Sequence, residues 1–334
     1  MNILIAGGNG FIGSHTYISL RERFPEAQLV IVDNLANSTL KTLENLRKIT
    51  GEHILFYEMD LCDEQAVAAL FQNYPFDGVI HFAGYKAVGE SVVNPIKYYT
   101  NNLNSTLHLV KYCLAYEVNK FVFSSSATVY GDGVSPLMES DALLPASNPY
   151  GQTKAMCEQI LIDVARANPE FSVALLRYFN PVGAHESGLM GEAANGVPTN
   201  LMPYITKVAK GELPILNIFG GDYPTVDGTG VRDYIHVMDL AEGHAAALEH
   251  LTPGVHIYNL GTGKGTSVLQ LVKAFEEVTG VKVPYQIMER RPGDLATVYA
   301  NVSKAEKELN WKAKRTIKEM CRDAWRFEKH DVLI

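Results

Sequence analysis

The chain has 334 residues, of which 47% are hydrophobic and 20% charged, and its formal net charge is −8. The length predicts about two domains, and the composition is typical of an ordinary soluble globular protein. The negative net charge argues against nucleic acid or an anionic membrane surface as the main partner, since both require clustered cations.

Short apolar runs recur along the first 260 residues, and most of them are separated by enough chain for a helix. This alternation predicts an α/β fold with a Rossmann-type, doubly wound parallel sheet. The runs are continuous rather than alternating, as in strands that are buried on both faces. They begin near Ile3, Leu29, Ile54, Val79, Phe121, Val173 and His256.

The character of the sequence changes after Asn180, because residues 181–227 are rich in Gly, Pro and Asn and contain few long periodic segments. A strand-like run at 255–260 then indicates that the chain re-enters the first domain. We therefore expect a dinucleotide-binding domain at 1–180, to which the chain returns at about 235–262. A smaller mixed α/β substrate-binding domain is expected at 181–334.

No apolar stretch approaches the roughly 18 residues of a membrane span, and the N-terminal residues show no signal-peptide pattern. The four cysteines form no CxxC pair, which favours a reducing, cytoplasmic location. The ten histidines lack HExxH or a similar ligand spacing. We therefore expect no metal site.

A glycine-rich segment, GGNGFIG at 7–13, follows the first apolar run. Gly7, Gly10 and Gly13 allow a tight turn that approaches a pyrophosphate at a helix N-terminus. Asp33 ends the second apolar run 20 residues past Gly13, where a carboxylate accepts from a ribose hydroxyl. No Arg or Lys lies between Asp33 and Leu40, which favours NAD over NADP. The plainer alternatives are an ordinary βα turn for the glycines and a solvated strand-end carboxylate for Asp33.

A second pattern is Tyr150 followed four residues later by Lys154, just after Asn148-Pro149. Asn148 is a good helix cap and Pro149 a good first helical residue, so the two side chains share one helix face about 6 Å apart along the axis. Lowering a phenol pKa from about 10 to 7 requires about 4 kcal/mol. The Lys154 ammonium, the helix dipole and an oxidised nicotinamide all have the sign to do so. A surface tyrosine and lysine on an amphipathic helix is the alternative.

Ser126 closes a run of three serines after the apolar run at 121–124, so it is expected at the ligand-binding edge of the sheet. Its hydroxyl could bridge a substrate oxygen to Tyr150. Taken alone, a serine that caps a turn is the more common interpretation. The glycine-rich segment 261–265 lacks the spacing of a Walker phosphate loop and is interpreted as an ordinary loop.

Five longer fragments carry a resemblance: HFAGYKAVGES at 81–91, SSSATVYG at 124–131, LRYFNPVGA at 176–184, NLMPY at 200–204 and GVRDYIHV at 230–237. With the motifs above, their order and spacing resemble the extended short-chain dehydrogenases/reductases and, within these, the UDP-glucose 4-epimerases. The resemblance extends over nearly the whole chain.

This resemblance implies reversible, NAD-dependent 4-epimerisation of UDP-galactose and UDP-glucose in galactose metabolism. The sugar would be oxidised transiently at C4 to a 4-keto form, turn over in the pocket and be reduced on the opposite face. Ser126, Tyr150 and Lys154 would be the catalytic residues. The resemblance also implies a homodimer, formed through the helices that follow Asn94 and Asn148.

The resemblance further implies two sets of binding residues. The cofactor set is Gly7, Gly10, Phe11, Ile12, Gly13, Asp33, Asn34, Asn37, Ser38, Asp60, Leu61, Phe82, Ala83, Gly84, Lys86, Asn101, Ser124, Tyr150, Lys154 and Tyr178. The substrate set is Lys86, Ser126, Tyr150, Phe179, Asn180, Asn200, Leu201, Asn217, Phe219, Arg232, Arg291, Asp294 and Val298.

Three alternatives remain. A nucleotide-sugar 4,6-dehydratase needs acidic residues beside the catalytic hydroxyl, whereas Ala127 and Thr128 follow Ser126. A nonenzymatic NAD-sensing scaffold would not need Tyr150 with Lys154. A 4-epimerase for N-acetylated UDP-sugars is the strongest rival, because Val298 is small where a bulky tyrosine accompanies restriction to plain hexoses in the family. Val298 is also interpretable as an ordinary strand residue.

Overall fold

A seven-stranded parallel sheet forms the centre of the computed structural model, which describes residues 1–193, 198–291 and 293–330. Its spatial order is β11-β6-β5-β4-β1-β2-β3, with every neighbouring pair parallel. Each of the seven apolar runs supplies one strand, so the predicted fold class is confirmed. The strands are β1 (Asn2–Ala6), β2 (Gln28–Asp33), β3 (Leu55–Glu58), β4 (Gly78–His81), β5 (Lys120–Ser124), β6 (Ser172–Tyr178) and β11 (Gly254–Leu260).

Successive side chains of a strand point to opposite sides of the sheet, and here both sets are apolar. Helices therefore cover both faces of the sheet. Ile3 and Ile5 of β1 pack with α1, α2 and α8 on one face, whereas Leu4 and Ala6 pack with α3, α5 and α6 on the other. The helices of this part are α1 (Phe11–Arg23), α2 (Leu40–Thr50), α3 (Glu64–Asn73), α4 (Val88–Val93), α5 (Pro95–Ala115), α6 (Pro149–Ala167) and α8 (Val237–His250).

The predicted start of α6 is confirmed. Pro149 is its first residue, and the Asn148 side chain accepts a hydrogen bond from the Gly151 amide at 2.9 Å. A proline at the first helical position loses no hydrogen bond, and the cap satisfies one of the open amides. Tyr150 therefore stands in the first turn, and Lys154 one turn further along.

The second lobe is built from short elements around a separate apolar core, which includes Ile205, Leu271 and Phe275. Its strands form small sheets, β10-β7, β12-β9-β14 and β13-β8. Its elements are β7 (Asn180–Val182), α7 (Leu201–Lys210), β8 (Leu216–Phe219), β9 (Val231–Arg232), β10 (Tyr234–His236), β12 (Thr266–Ser267), α9 (Val268–Thr279), β13 (Tyr285–Met288), β14 (Thr297–Val298) and α11 (Ile317–His330). The helix α10 (Ser303–Glu308) instead packs against the core of the central sheet through Ala305.

A first prediction concerns the core of the central sheet. Leu176 of β6 is fully buried, so Leu176→Ala should lower the free energy of unfolding by about 2–5 kcal/mol. The same change at Leu143, which is 40% exposed in a loop, should stay within about 0.5 kcal/mol. Urea-induced unfolding measures both variants, and equal effects would contradict the central position of Leu176.

Candidate active site

A cavity of about 710 Å³ opens at the carboxyl ends of the central strands, where the strand order reverses between β1 and β4. Open α/β sheets bind their ligands at this edge, and the volume suits a large organic ligand. Every residue of the cofactor set inferred from the sequence lines this cavity.

The glycine turn closes one end of the cavity. Gly7 has φ +74°, and a Cβ there would lie 2.5 Å from the Ala83 nitrogen. A Cβ at Gly13 would lie 2.6 Å from the Gly7 oxygen. These two glycines are therefore required by the protein's own packing. At Gly10, which caps α1, a Cβ would meet only the Gly7 oxygen at 3.4 Å, so its missing side chain leaves room on the cavity side.

Asp33 is buried beside this turn. Its carboxylate accepts from the Asn9 amide at 3.1 Å, the Leu35 amide at 2.9 Å and the Ser38 hydroxyl at 3.1 Å. Burial raises its pKa, and the three hydrogen bonds oppose that shift. A carboxylate has about four acceptor positions, so one remains for a ligand hydroxyl. The interpretation of Asp33 as a solvated carboxylate is wrong, because only 8% of it is exposed.

Lys154 and Tyr150 lie buried at the inner end of the cavity, with 5% and 7% of their surfaces exposed. The Lys154 ammonium donates to the Ser124 carbonyl at 2.8 Å, and burial lowers its pKa to about 8. The pKa of Tyr150 is raised, chiefly by burial, although a hydrogen bond with Ser126 acts in the opposite direction. The expectation of a lowered phenol pKa includes the charge of an oxidised nicotinamide, and the burial of Tyr150 is the desolvation cost that this charge, Lys154 and the helix dipole together have to exceed.

Ser126 combines both interpretations that its sequence context allowed. Its oxygen accepts from the Thr128 amide at 3.2 Å and the Thr128 hydroxyl at 3.0 Å, and it thereby caps a short 3₁₀ helix, Ala127–Tyr130. Two accepted bonds leave the serine proton free to be donated, and the nearby Ser126 hydroxyl lowers the pKa of Tyr150 against the effect of burial.

His244 and Asn102 were missed in the sequence. The His244 Nδ1 donates to the Leu240 carbonyl at 2.9 Å, so its Nε2 accepts from the Ser124 hydroxyl at 3.3 Å. The Asn102 amide donates to Thr153 in α6 at 3.0 Å. Both are long-range contacts between helices and strand ends, and polar residues on otherwise buried helix faces are the only sequence signal for them.

Of the substrate set, Lys86, Tyr150 and Asn200 line the cavity. Glu192 joins two of them: its carboxylate accepts from the Lys86 ammonium at 3.1 Å and from the Asn200 amide at 2.6 Å. Glu192 was also missed in the sequence. Its position shows that Lys86 and Asn200 lie close enough to contact one anionic group together.

The other members of the substrate set lie outside the cavity lining, mostly in the second lobe. Arg291 forms an ion pair with Asp294 at 3.0 Å and lies 4.6 Å from the Phe219 ring centre. Val298 and Arg232 are paired across β14 and β9. The remaining members are Ser126, Phe179, Asn180, Leu201 and Asn217.

Val298 is half-buried and packs against a small apolar cluster that includes Val129, Phe179 and Ala300. Val129 belongs to the 3₁₀ helix that Ser126 caps, and Phe179 follows β6 directly. The strand interpretation of Val298 is therefore confirmed, and the same residue lies beside elements that border Ser126.

Asp233 holds the strands of the second lobe together. This buried carboxylate accepts from the Thr262 amide at 2.8 Å, the Gly263 amide at 3.0 Å and the Ala300 amide at 3.2 Å. Its own amide donates to the Val298 carbonyl at 3.0 Å. The glycine-rich loop thus directs its amides at an internal carboxylate, as fits a segment that is not a phosphate loop.

Two features are absent from the described residues. Among the described residues, no group of three or more His, Cys, Asp or Glu side chains is arranged to hold a metal ion. Across the same residues, no helix is long and apolar enough to cross a membrane.

Comparison with known proteins fits this geometry. The family model described as GDP-mannose 4,6 dehydratase matches residues 4–324. A UDP-glucose 4-epimerase of Bacillus subtilis is 56% identical over 335 residues, which cover 99% of this chain and 98% of that protein.

Two solved structures are also similar. The UDP-glucose 4-epimerase of Bifidobacterium longum in complex with NAD+ and UDP is 50% identical, covers 99% of each chain and gives a TM-score of 0.95. The UDP-Glc/GlcNAc 4-epimerase of Campylobacter jejuni is 38% identical, covers 98% of this chain and 99% of that chain, and gives a TM-score of 0.84.

The parallel sheet, the glycine turn and the buried Tyr150 and Lys154 define an extended short-chain dehydrogenase/reductase. Within that group the chain belongs to the UDP-glucose 4-epimerase family and is an isomerase. The dehydratase in the description of the family model does not transfer to this site, since Ala127 and Thr128 stand where elimination would need acidic residues.

A second prediction concerns pH. Burial lowers the pKa of His15 and His81 to about 3 and that of His244 to about 4, from 6.5. Between these values the unfolded chain binds more protons, so stability is complete above pH 6.5 and is lost as pH falls. At pH 5.5 each histidine should cost about 1 kcal/mol.

Urea unfolding at pH 7.5 and pH 5.5 measures this loss. His81→Asn should reduce the pH dependence by the roughly 1 kcal/mol that one buried histidine contributes. A stability that does not change between the two pH values would contradict the burial of the three histidines in their neutral form.

Proposed function

We propose that the protein interconverts UDP-galactose and UDP-glucose with NAD as its cofactor, by transient oxidation of the sugar at C4. The observation that carries this proposal is the position of Tyr150 and Lys154, buried in the lining of the cavity that begins at the glycine turn, with Ser126 directly behind Tyr150 as the cap of the adjoining 3₁₀ helix. The high identity to 4-epimerases over nearly the whole chain supports the reaction class. The reaction would belong to galactose metabolism, in the cytoplasm.

The cofactor site fits NAD in two respects. The space at Gly10 lies at the N-terminus of α1, where backbone amides and the helix dipole stabilise a pyrophosphate. Asp33 retains an acceptor position for a ribose hydroxyl, and its buried carboxylate would repel the extra phosphate of NADP. When bound, NAD would supply reversible hydride exchange at the sugar C4 and the positive charge of its oxidised ring.

The chain's own residues accept and return the proton of the sugar 4-hydroxyl. Tyr150 takes the proton of the sugar 4-hydroxyl and returns it to the oxygen of the inverted alcohol. Lys154 supplies a positive charge that favours the phenolate, and its bond to the Ser124 carbonyl fixes the ammonium in the core. Ser126 donates its free proton toward Tyr150 or the substrate oxygen. Because the reaction has no net redox product, one cofactor serves many turnovers.

The nucleotide sugar would be held from both lobes. Lys86 and Asn200 would give up their hydrogen bonds to the Glu192 carboxylate and bind phosphate or sugar oxygens instead. Arg291 and Arg232 suit diphosphate recognition, because a guanidinium presents several donors to neighbouring oxygens. Residues 1–180 with the return at about 235–262 would form the cofactor domain, and residues 181–334 the nucleotide-sugar domain.

We also propose a homodimer. Exposed apolar side chains occur on the outer surfaces of α5 and α6, where Ile96 is 74%, Leu107 44% and Met156 36% exposed. Such a surface on neighbouring helices suits an isologous contact between two copies.

The reaction is tested by incubating purified protein with UDP-galactose without added reductant. UDP-glucose should form, and NAD should copurify with the protein. Tyr150→Phe removes the acid/base but little packing area, so turnover should fall by about 10²- to 10⁴-fold while UDP affinity stays near wild type. Tyr285→Phe, at an exposed strand position, is the matched control. Stoichiometric NADH with a released keto sugar would overturn the epimerase proposal.

A second candidate activity is epimerisation of N-acetylated UDP-sugars. Val298 is small and packs beside Phe179 and Val129, and one similar structure is that of a UDP-Glc/GlcNAc 4-epimerase. A tyrosine at this position would crowd an N-acetyl group, and overpacking typically costs about 1–3 kcal/mol.

The corresponding prediction is that Val298→Tyr selectively abolishes activity on UDP-N-acetylglucosamine and UDP-N-acetylgalactosamine, with activity on plain hexoses retained. Val226→Tyr, at a position 76% exposed, controls for the added ring. Activity is measured on both substrate pairs. A wild-type protein that is inactive on the acetylated pair would contradict this second candidate activity.

A further inference from the structure

A buried ion pair lies behind the catalytic residues. Arg177 of β6 and Glu158 of α6 are 3% and 1% exposed, and the Arg177 Nη2 and Nε donate to Glu158 at 2.7 and 3.0 Å. Burying such a pair is costly, and well-packed apolar residues often replace one without loss of stability. Stability alone therefore gives a weak reason for the pair to occupy the core here.

The ion pair contacts residues 125–130 at two points. The Ser125 hydroxyl donates to Glu158 at 2.5 Å. The Arg177 guanidinium lies 4.8 Å from the centre of the Tyr130 ring, and the Tyr130 hydroxyl donates to Asn259 at 2.6 Å. Ser125 and Tyr130 stand on either side of the turn that Ser126 caps.

Ser125 also lies between the two groups on which the proposed chemistry depends. The carbonyl of the preceding residue, Ser124, accepts from the Lys154 ammonium, and the hydroxyl of the following residue, Ser126, acts on the pKa of Tyr150. Glu158 is one helical turn beyond Lys154 on α6. One carboxylate thus anchors the backbone that holds the lysine and also places a negative charge near it.

We propose that Glu158, neutralised by Arg177, is a positioning residue for the reaction: through Ser125 it fixes residues 124–126 against α6, and its charge balances the charges around Tyr150 and Lys154. This inference rests on the proposed epimerase function. It assigns Ser125, Glu158 and Arg177 a role through other residues, without contact with substrate or cofactor.

Several titratable or charged groups face this centre from the elements packed against it. Each of them contributes to a pH profile, so the variants below leave all of them unchanged except Arg177, which is replaced only in the double variant. They are Cys157 on α6, His81 on β4, Tyr98 on α5, Arg177 and Tyr178 on β6, His244 on α8, and Lys86, which acts on Tyr178.

The test compares Ser125→Ala, Glu158→Gln and the charge-balanced double variant Glu158→Gln/Arg177→Met, each purified with its NAD content measured. Ser125→Ala should lower kcat about 10-fold, with the KM for UDP-galactose and the NAD content near wild type. Glu158→Gln leaves Arg177 unbalanced, so both limbs of the kcat–pH profile should move to lower pH by at least about half a unit. The double variant should return the limbs to the wild-type position while kcat stays low.

Ser19→Ala is the matched control, because Ser19 is a buried serine of α1 without a side-chain hydrogen bond among the described residues. Wild-type kcat in Ser125→Ala and in the double variant would overturn the proposal, even if Glu158→Gln does not fold. An unshifted profile in a folded Glu158→Gln would overturn the role of its charge.

A readout without turnover separates this inference from the proposed function. Phenolate formation at Tyr150 is followed by ultraviolet absorbance, with Tyr150→Phe as the blank. If the wild type does not epimerise UDP-galactose, the proposed function fails, and the titration still decides whether Glu158→Gln shifts Tyr150. An unchanged titration would overturn the positioning role independently.

Discussion

The parallel register of the central sheet is the constraint on which the site depends. Because all seven strands run the same way, their carboxyl ends meet at one edge. Asp33 ends β2, Ser124 ends β5 and Tyr178 ends β6, so groups far apart in the chain line one cavity. Antiparallel neighbours would send half of these strand ends to the opposite edge.

The charges buried around that edge are stabilised in different ways. Lys154 is held by a main-chain carbonyl, Asp33 by two amides and a hydroxyl, and Asp233 by amides of three residues and a hydroxyl. Glu158 and Arg177, by contrast, neutralise each other directly. Main-chain partners keep each charge at a fixed point of the backbone, and so fix the backbone around it as well.

Much of the first lobe could be predicted because its signals are local. A continuous apolar run is enough to indicate a buried parallel strand, and Asn148-Pro149 is enough to start α6. The second lobe gave no comparable signal, since strands of two residues such as β9 and β14 have no periodicity. The helix α7 lies in the region that seemed poorest in periodic segments.

The site could be predicted only in part, for a different reason. Glu192, Asn9 and His244 act through partners up to 120 residues away, and no spacing rule connects such positions. The pKa of Tyr150 could not be derived from the sequence either, because the sequence shows which charges are near the phenol but not how completely it is desolvated. The resemblance supplied residues of the second lobe that neither pattern nor spacing could have selected.

The anchoring of β9 and β14 by Asp233 has a consequence for the divergence of this fold. These two-residue strands pair with each other, and Asp233 fixes the chain beside them: its amide donates to the Val298 carbonyl, and its carboxylate accepts from the Ala300 amide. The backbone course at Val298 is thus held by bonds that do not involve its side chain. Under the proposed function, a substitution at Val298 would change the surroundings of Phe179 and Val129 while α6, which carries Tyr150 and Lys154, stays in place.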